Sequence, residues 1–384
     1  MKRYLSLIGL LATACASTRL PPQLAVNAPL ADLGAIAKPQ TEAPMWTQLH
    51  IHATGRESFR LFAGRGQRIF ATSGAGESRW LAELDRTSLR DRADLLSGLG
   101  SEVGPLAGIG GDWPHHAVIA TSRPSSRIES HEVFVSNGGT WTKAGDDYGT
   151  VASVFESPDG ETLIVRENGS SSVTKVNGDK VAVLGDKVRL LFATNLEDGS
   201  VLGIVSDDAT AGANKFLHWT KLGRTFVDIP KGKEGHGAPS VIVARDRWTY
   251  AVGWNYLRHV RDGAYVASWD GSAWSPVDVP TSVGHPMRAA VTQDGSLVVA
   301  TTTYDAESLG QVWVRSIDGQ WRNIRLPESG DGLPCTPSDL AADARDVWVA
   351  MQCTKHDIAE YVLASSEPPS GEPVRIKHKR AGAQ

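Results

Sequence analysis

The sequence predicts an all-β protein built from seven copies of one four-stranded unit. Two observations support this prediction: turn signals recur at a fixed spacing, and a tryptophan-containing strand closes several of the copies. Asp198, Asp246 and Asp294 open equivalent turns 48 residues apart. The chain also has 39 Gly and 12 Trp in 384 residues, and the glycine content, above the usual ~7%, indicates many turns.

The clearest copy runs from His285 to about Pro327. Residues 287–293 alternate, Asp294-Gly295 turns the chain, and residues 297–304 are rich in β-forming side chains. A second hairpin follows, with its turn at Asp318-Gly319. Asp-Gly between two such segments is a strong hairpin signal, so the copy is predicted to contain four antiparallel strands.

The other copies are recognised by their first turns. The remaining turns, in chain order, are Arg65-Gly66, Gly111-Asp112, Asp159-Gly160 (a shortened copy with its second turn at Asn177-Gly178), Asp198-Gly199, Asp246 and Asp343 to Asp346. A repeat of roughly 40–50 residues is the period of a four-stranded β-propeller blade. The predicted fold class is therefore a seven-bladed β-propeller, in which each sheet buries its faces against its neighbours.

The fourth strand of a copy ends in Trp-x-x-(Val/Ile)-x-(Val/Leu)-Pro, and we expect its tryptophan to fill the wide outer part of the wedge between blades. Residues 46–52 imitate this strand but precede the first copy. They are predicted to pair with the last copy and close the ring. The alternative is a separate cap, in which case residues 373–378 would close it.

Residues 46 to about 378 resemble bacterial seven-bladed β-propellers of the sialidase/BNR-like, photosystem-assembly-like and YVTN-like groups. Ser136 to Trp141 and Trp269 to Trp274 are shortened versions of the sialidase Asp-box. The resemblance implies the architecture. It does not supply an arginine triad or a tyrosine nucleophile residue by residue, and no Trp-Asp dipeptide ends the blades as in WD40 proteins.

The N-terminus is typical of an export signal. A basic start precedes a ten-residue apolar segment, which is too short to span a membrane and has the length of a signal-peptide core. Cleavage after Ala14 fits ordinary secretion, and it also fits lipidation of Cys15; the second is favoured because the first leaves a reactive thiol at the new terminus. The predicted organisation is a signal peptide (1–14), a lipidated N-terminus with a Pro/Ala-rich tether (15–43), the propeller (44–378) and a C-terminal tail (379–384).

Composition excludes several classes. With 41% hydrophobic and 21% charged residues, the chain is neither disordered nor a polytopic membrane protein. A net charge of −4 does not indicate the basic composition that is typical of nucleic-acid-binding proteins. No cofactor motif is present: there is no Gly-rich phosphate loop, no His-Glu-x-x-His helix and no Gly-x-Ser-x-Gly elbow. A monomer with no cofactor and no bound nucleic acid is expected.

Candidate ligand residues lie in two sets of loops that share one face of a propeller with the mouth of its channel. The loops that enter the innermost strands and those that leave the second strands contribute Tyr148, Lys187, His236, His285, Asp207, Trp254, Tyr256, His259, Tyr304, Asp305 and His356. His236, His285 and Cys335 are 49 and 50 residues apart and are expected at similar depth. They fit either a metal or small-ligand site or simple polar turns, and the second interpretation is favoured. Neighbouring blades place such residues too far apart for one zinc ion.

Cys335 has a second expected partner, because Cys353 ends the next strand of the same copy. An exported protein permits a disulfide between them. The favoured hypothesis for the whole chain is an envelope lipoprotein that binds another macromolecule, a protein or a glycan, and touches the membrane only through its lipid. The alternatives are a glycan-processing hydrolase or lyase with its site at the channel mouth, and a purely structural envelope protein.

Overall fold

The computed structural model describes twenty segments of the chain between Thr47 and Ser365. They are residues 47–50, 60–63, 69–73, 80–85, 88–99, 106–110, 115–122, 131–137, 140–143, 150–167, 171–175, 188–207, 215–232, 235–257, 260–302, 310–324, 326, 335–342, 347–355 and 358–365. The predicted signal peptide, Cys15, the tether and the tail lie outside these segments and stay predictions.

The described strands form seven antiparallel sheets, which we call blades 1 to 7 in chain order. Blade 1 contains β2 (Arg60–Ala63), β3 (Ile69–Ser73), β4 (Trp80–Asp85) and β5 (Ser88–Asp91). A short helix, α1 (Ala93–Leu96), follows. Blade 2 contains β6 (Leu106–Gly110), β7 (His115–Ser122), β8 (His131–Asn137) and β9 (Thr140–Lys143). Blade 3 is described in three strands, β10 (Thr150–Glu156), β11 (Thr162–Glu167) and β12 (Ser171–Lys175).

The remaining blades follow the same order from the innermost strand outward. Blade 4 contains β13 (Val188–Asn195), β14 (Val201–Asp207), β15 (Lys215–Thr220) and β16 (Gly223–Asp228). Blade 5 contains β17 (His236–Arg245), β18 (Trp248–Leu257), β19 (Val260–Trp269) and β20 (Trp274–Pro276). Blade 6 contains β21 (His285–Val291), β22 (Leu297–Thr302), β23 (Gln311–Arg315) and β24 (Trp321–Ile324). Blade 7 contains β25 (Cys335–Ala342), β26 (Val347–Lys355), β27 (Ile358–Ser365) and, as its outer strand, β1 (Thr47–His50).

The seven blades form a closed ring. The first strand of each blade contacts the first strand of the next, and β2 of blade 1 contacts β25 of blade 7. The N-terminal strand completes blade 7: β1 runs antiparallel to β27, with Thr47 opposite Ser365 and His50 opposite Val362. The seven-bladed propeller and the closure by residues 46–52 are therefore confirmed, the latter for residues 47–50. The alternative closing segment, 373–378, lies outside the described residues.

A β-bulge recurs in the innermost strands. The register shifts by one residue in six of the seven innermost strands that the structure describes. The extra residues are Ala107, Ala152, Leu191, Ser240, Met287 and Ser338. In blades 5, 6 and 7 a proline precedes the bulge directly, at Pro239, Pro286 and Pro337. Proline is tolerated there because the channel side of an innermost strand has no hydrogen-bonded neighbour.

The hairpin turns are stabilised by their aspartates. The Oδ1 atom of Asp198 accepts hydrogen bonds from the backbone N–H of Ser200 at 2.9 Å and from its hydroxyl at 2.6 Å. Asp270 accepts the equivalent pair from Ser272. Hydrogen bonds to the ionised carboxylate hold the pKa of Asp198 and of Asp270 below the ordinary value, and Asp318 behaves in the same way through Ser316.

These turns predict a loss of stability in acid. Because the folded-state pKa values are depressed, the unfolded chain takes up protons first as the pH falls. The stabilisation is present above the unfolded-state pKa and is lost as the pH falls through the lower folded-state values. The free energy of unfolding can be measured in urea at a series of acidic pH values. As the pH falls, it should decrease less for the triple variant Asp198→Asn, Asp270→Asn, Asp318→Asn than for the wild type. Parallel curves would contradict the assignment.

The tryptophans of the outer strands pack against the preceding blade, as the sequence predicts. The ring of Trp274 in blade 5 stacks on Phe216 of blade 4, with centroids 4.1 Å apart. Trp321 of blade 6 donates from Nε1 to the backbone oxygen of Asp278 in the preceding blade at 2.9 Å. Trp141 of blade 2 donates to the oxygen of Leu95 in α1. No helix among the described residues is long and apolar enough to cross a membrane.

Candidate functional site at the loop face

Five of the predicted ligand residues lie within the described part of the chain: His236, His285, Asp207, Trp254 and Tyr256. All five lie at or near strand ends on the face from which the innermost strands start. The other six lie outside the described residues and stay predictions: Tyr148, Lys187, His259, Tyr304, Asp305 and His356.

Blade 5 brings three of these residues together. His236, the first residue of β17, pairs with Tyr256 in β18, and Trp254 lies two residues before Tyr256 in the same strand. The side chain of His236 is exposed, whereas Tyr256 and Trp254 are half-buried. We call these three residues the aromatic group of blade 5. The exposed imidazole of His236 beside two half-buried aromatic rings forms a surface with both apolar area and hydrogen-bonding capacity.

A buried tyrosine that was not expected from the sequence supports this group from behind. The hydroxyl of Tyr265 donates to the backbone oxygen of Pro230 at 2.9 Å, and burial raises its pKa far above the ordinary value. Its ring lies so close to Gly237 that a Cβ atom there would be 2.2 Å from the ring. The Gly-His-Gly sequence therefore has a steric reason: the residue after His236 must lack a side chain so that the Tyr265 ring can pack beneath the strand.

His236, His285 and Cys335 do not lie at the same depth, and this expectation was wrong. The bulge residue of each strand provides a common reference. His285 lies two residues before the bulge of its strand, Cys335 lies three residues before, and His236 lies four residues before. Successive residues of a strand also point to opposite faces, so Cys335 faces away from the side that the two histidines take. Within the described residues, no group of three His, Cys, Asp or Glu side chains could hold a metal ion.

Cys335 instead forms the predicted disulfide with Cys353. The two residues are direct partners of the antiparallel pair β25–β26, and their sulfurs are 1.97 Å apart. Both are buried, and they pack in a core cluster with Val349 and Met351. The bond therefore joins the first two strands of blade 7, the blade that β1 completes.

Removal of this disulfide should destabilise the protein measurably. The two cysteines are 18 residues apart in the sequence. In the chain-entropy model the closure of such a loop contributes about 3 kcal/mol to stability. A Cys335→Ala, Cys353→Ala variant should therefore unfold at a lower urea concentration than the wild type. The thiol count provides the check: the Cys15→Ser protein, unfolded without reductant, should show no free thiol. Two reactive thiols under these conditions would contradict the bond.

A charged cluster on the channel wall was also missed by the sequence interpretation. Asp339 in β25 is 6% exposed, and its carboxylate accepts from the backbone N–H of Leu61 in blade 1 at 2.9 Å, from Leu340 at 3.0 Å and from Nε of Arg288 in blade 6 at 3.1 Å. Burial raises the pKa of Asp339, while Arg288, the two N–H groups and the charge of Arg60 oppose that rise. One side chain thus connects blades 6, 7 and 1.

The sequence carried one signal for this cluster. Arg288 and Asp339 each lie two residues after the prolines Pro286 and Pro337, which start the bulges of neighbouring blades. Aligning the copies on these prolines, rather than on the loop histidines, would have placed the two charged residues side by side.

Comparison with solved structures supports the same architecture. The chain is similar to a streptogramin B lyase, with 11% identity over 83% of this chain and 97% of the other and a TM-score of 0.52. It is similar to an oligogalacturonate lyase in complex with manganese, with 11% identity, 87% and 96% coverage and a TM-score of 0.51. A Mycobacterium tuberculosis puromycin-hydrolyzing peptidase matches at 12% identity over 80% of this chain and 51% of the other, with a TM-score of 0.52.

The fold is that of a β-propeller. At these identities the likeness shows the fold alone, and no activity follows from it. No family model matches the sequence. No curated protein matches it either.

Proposed function

We propose that the protein is an exported, lipid-anchored β-propeller that acts as a binding module in the bacterial cell envelope. The observation that carries the proposal is the aromatic group of blade 5: His236, Tyr256 and Trp254 are presented on paired strands at the loop face. The Tyr265 ring packed against Gly237 holds these strands from beneath. Rigid aromatic side chains on a fixed scaffold bind with little loss of conformational entropy.

The partner is a macromolecule, either a protein or a glycan. Aromatic and imidazole groups can stack on sugar rings or fill the centre of a protein interface, where tryptophan and tyrosine are enriched. The N-terminal sequence supports the location, because an apolar segment ending at Cys15 followed by a Pro/Ala-rich tether would hold the propeller off a membrane surface.

Binding is tested with the full chain on immobilised envelope glycan fragments and envelope proteins by surface plasmon resonance. Wild-type protein should bind one class saturably, and the His236→Ala, Tyr256→Ala variant should lose at least tenfold in affinity. The control is Lys221→Ala, an exposed residue in a hairpin turn of blade 4, which should bind like the wild type. Equal binding by all three proteins, or no saturable binding to either class, would overturn the proposal.

The anchor is tested separately. Wild-type protein expressed with its signal should fractionate with membranes, and Cys15→Ser protein should appear in the soluble fraction. Unchanged membrane association of the variant would contradict lipidation of Cys15.

The alternative function is an enzyme with its site at the same face, a glycan-processing hydrolase or lyase. It is favoured by one observation: the exposed His236 lies directly opposite Tyr256, and a His/Tyr pair can serve as general acid and base. Product formation from a glycan panel, abolished by His236→Ala and by Tyr256→Phe, would favour it. Saturable binding without product favours the binding module.

A further inference from the structure

Three adjacent innermost strands place charged residues at one level of the channel. Arg288 in β21 and Asp339 in β25 each follow the bulge of their strand. Arg60 in β2 of blade 1 pairs with Thr72 and lies directly before Leu61, whose N–H binds Asp339. Going round the ring, the order is therefore arginine, aspartate, arginine.

The carboxyl group of Asp339 is held by hydrogen-bond donors from three blades, which oppose the rise in pKa that burial causes. Its two oxygens accept three hydrogen bonds, all from N–H donors, and each donor has been described above. A protonated carboxyl would leave a hydroxyl hydrogen without an acceptor among these partners. Because the side chain is buried and fixed from three blades, it serves as a rigid negative anchor for the arginines.

Arg288 retains donor capacity that faces the channel. Its Nε binds Asp339, and Nη1 donates to the backbone oxygen of Met287 at 2.9 Å. No hydrogen bond among the described residues uses Nη2. The side chain is 45% exposed although its strand lies between two neighbouring blades. Since those blades cover both faces of the strand, the exposure is toward the channel.

The charges of this cluster do not cancel. Two guanidinium groups and one carboxylate leave a net charge of +1, which matches one carboxylate better than a phosphate dianion. A fixed guanidinium with free N–H donors binds a carboxylate with directed, charge-assisted hydrogen bonds. Met287, exposed beside Arg288 with 41% of its surface accessible, adds an apolar contact. We propose that Arg60 and Arg288 form a binding site in the channel for the carboxylate of a small organic acid with an apolar body.

The site lies below the loop face and does not depend on the proposed macromolecular binding. The probe is 4-fluorobenzoate, whose binding to the full-length protein is followed by fluorine NMR. Wild-type protein should bind it saturably. Arg288→Gln should weaken binding at least tenfold, and so should Arg60→Gln, which provides the second variant if Arg288→Gln fails to fold. Arg322→Gln, on the outer strand of the same blade as Arg288, should bind like the wild type.

Two further arms define the ligand chemistry. The neutral analogue 4-fluorobenzamide should not bind saturably, and inorganic phosphate should displace 4-fluorobenzoate only weakly. The proposal is overturned by absent binding to wild-type protein, by equal binding to wild type and the folded arginine variants, or by equal binding of the amide. The proposal would also be overturned if phosphate displaced 4-fluorobenzoate at a lower concentration than 4-fluorobenzoate itself needs for binding. The site would then be a phosphate site.

Discussion

Replacing Asp339 with alanine should lower the free energy of unfolding by about 3 kcal/mol. Two backbone N–H groups lose their acceptor, and each buried donor left without a hydrogen bond costs about 1–3 kcal/mol. The loss of the Arg288 bond adds little, because that side chain is half exposed to the channel. Urea unfolding of wild type and variant at neutral pH measures the difference.

The matched control is a neutral version of the same contact. Ser153 follows the bulge of blade 3, and its hydroxyl accepts from the N–H of Ala193 in blade 4 at 3.0 Å, just as Asp339 accepts from Leu61. Ser153→Ala should cost about 1 kcal/mol. If Asp339→Ala costs no more than Ser153→Ala, the buried carboxylate does not hold blades 7 and 1 together.

Replacing Gly295 with alanine should lower the free energy of unfolding by about 3 kcal/mol. Gly295 has φ +88° in the first turn of blade 6, and a Cβ atom there would lie 2.3 Å from the Trp248 ring of blade 5. The left-handed conformation costs an alanine about 1–2 kcal/mol, and displacing the ring adds the cost of overpacking, about 1–3 kcal/mol. Denaturant unfolding followed by tryptophan fluorescence measures the sum.

Gly199 separates the two contributions. It occupies the equivalent turn of blade 4 with φ +79°, and nothing lies within 4 Å of a Cβ atom placed there. Gly199→Ala should therefore show only the conformational cost, about 1–2 kcal/mol. Equal losses for the two variants would mean that Trp248 does not pack against the turn of blade 6.

Hairpin chemistry was the part of this fold that sequence could predict. Asp198, Asp270 and Asp318 form their turns through contacts with residues two positions away, so the signal is local. The closing strand was also predictable, because residues 46–52 repeat the rim-strand pattern in a place where no copy precedes them. Both predictions depend on patterns within a few residues.

The level of a side chain in the channel was not predictable from spacing. His236, His285 and Cys335 are almost equally spaced, but that spacing includes loops whose lengths differ between blades. Six of the seven innermost strands also contain an extra bulge residue, which moves the side chains after it to the other face. The contact between Asp339 and Leu61 joins residues 278 positions apart. It exists only because the ring closes, which no local pattern encodes.

The closed ring, on which both proposed sites depend, is tested most directly by a cysteine pair across the closing strands. Gln48 lies opposite Ala364 in the β1–β27 register. In a Cys15→Ser background, Gln48→Cys with Ala364→Cys should form an intramolecular disulfide in the folded protein, detected by mass spectrometry of the digested chain. Gln48→Cys with Leu363→Cys should not, because adjacent strand positions point to opposite faces. Absence of the first cross-link, or equal formation of both, would contradict a propeller closed by its N-terminal strand.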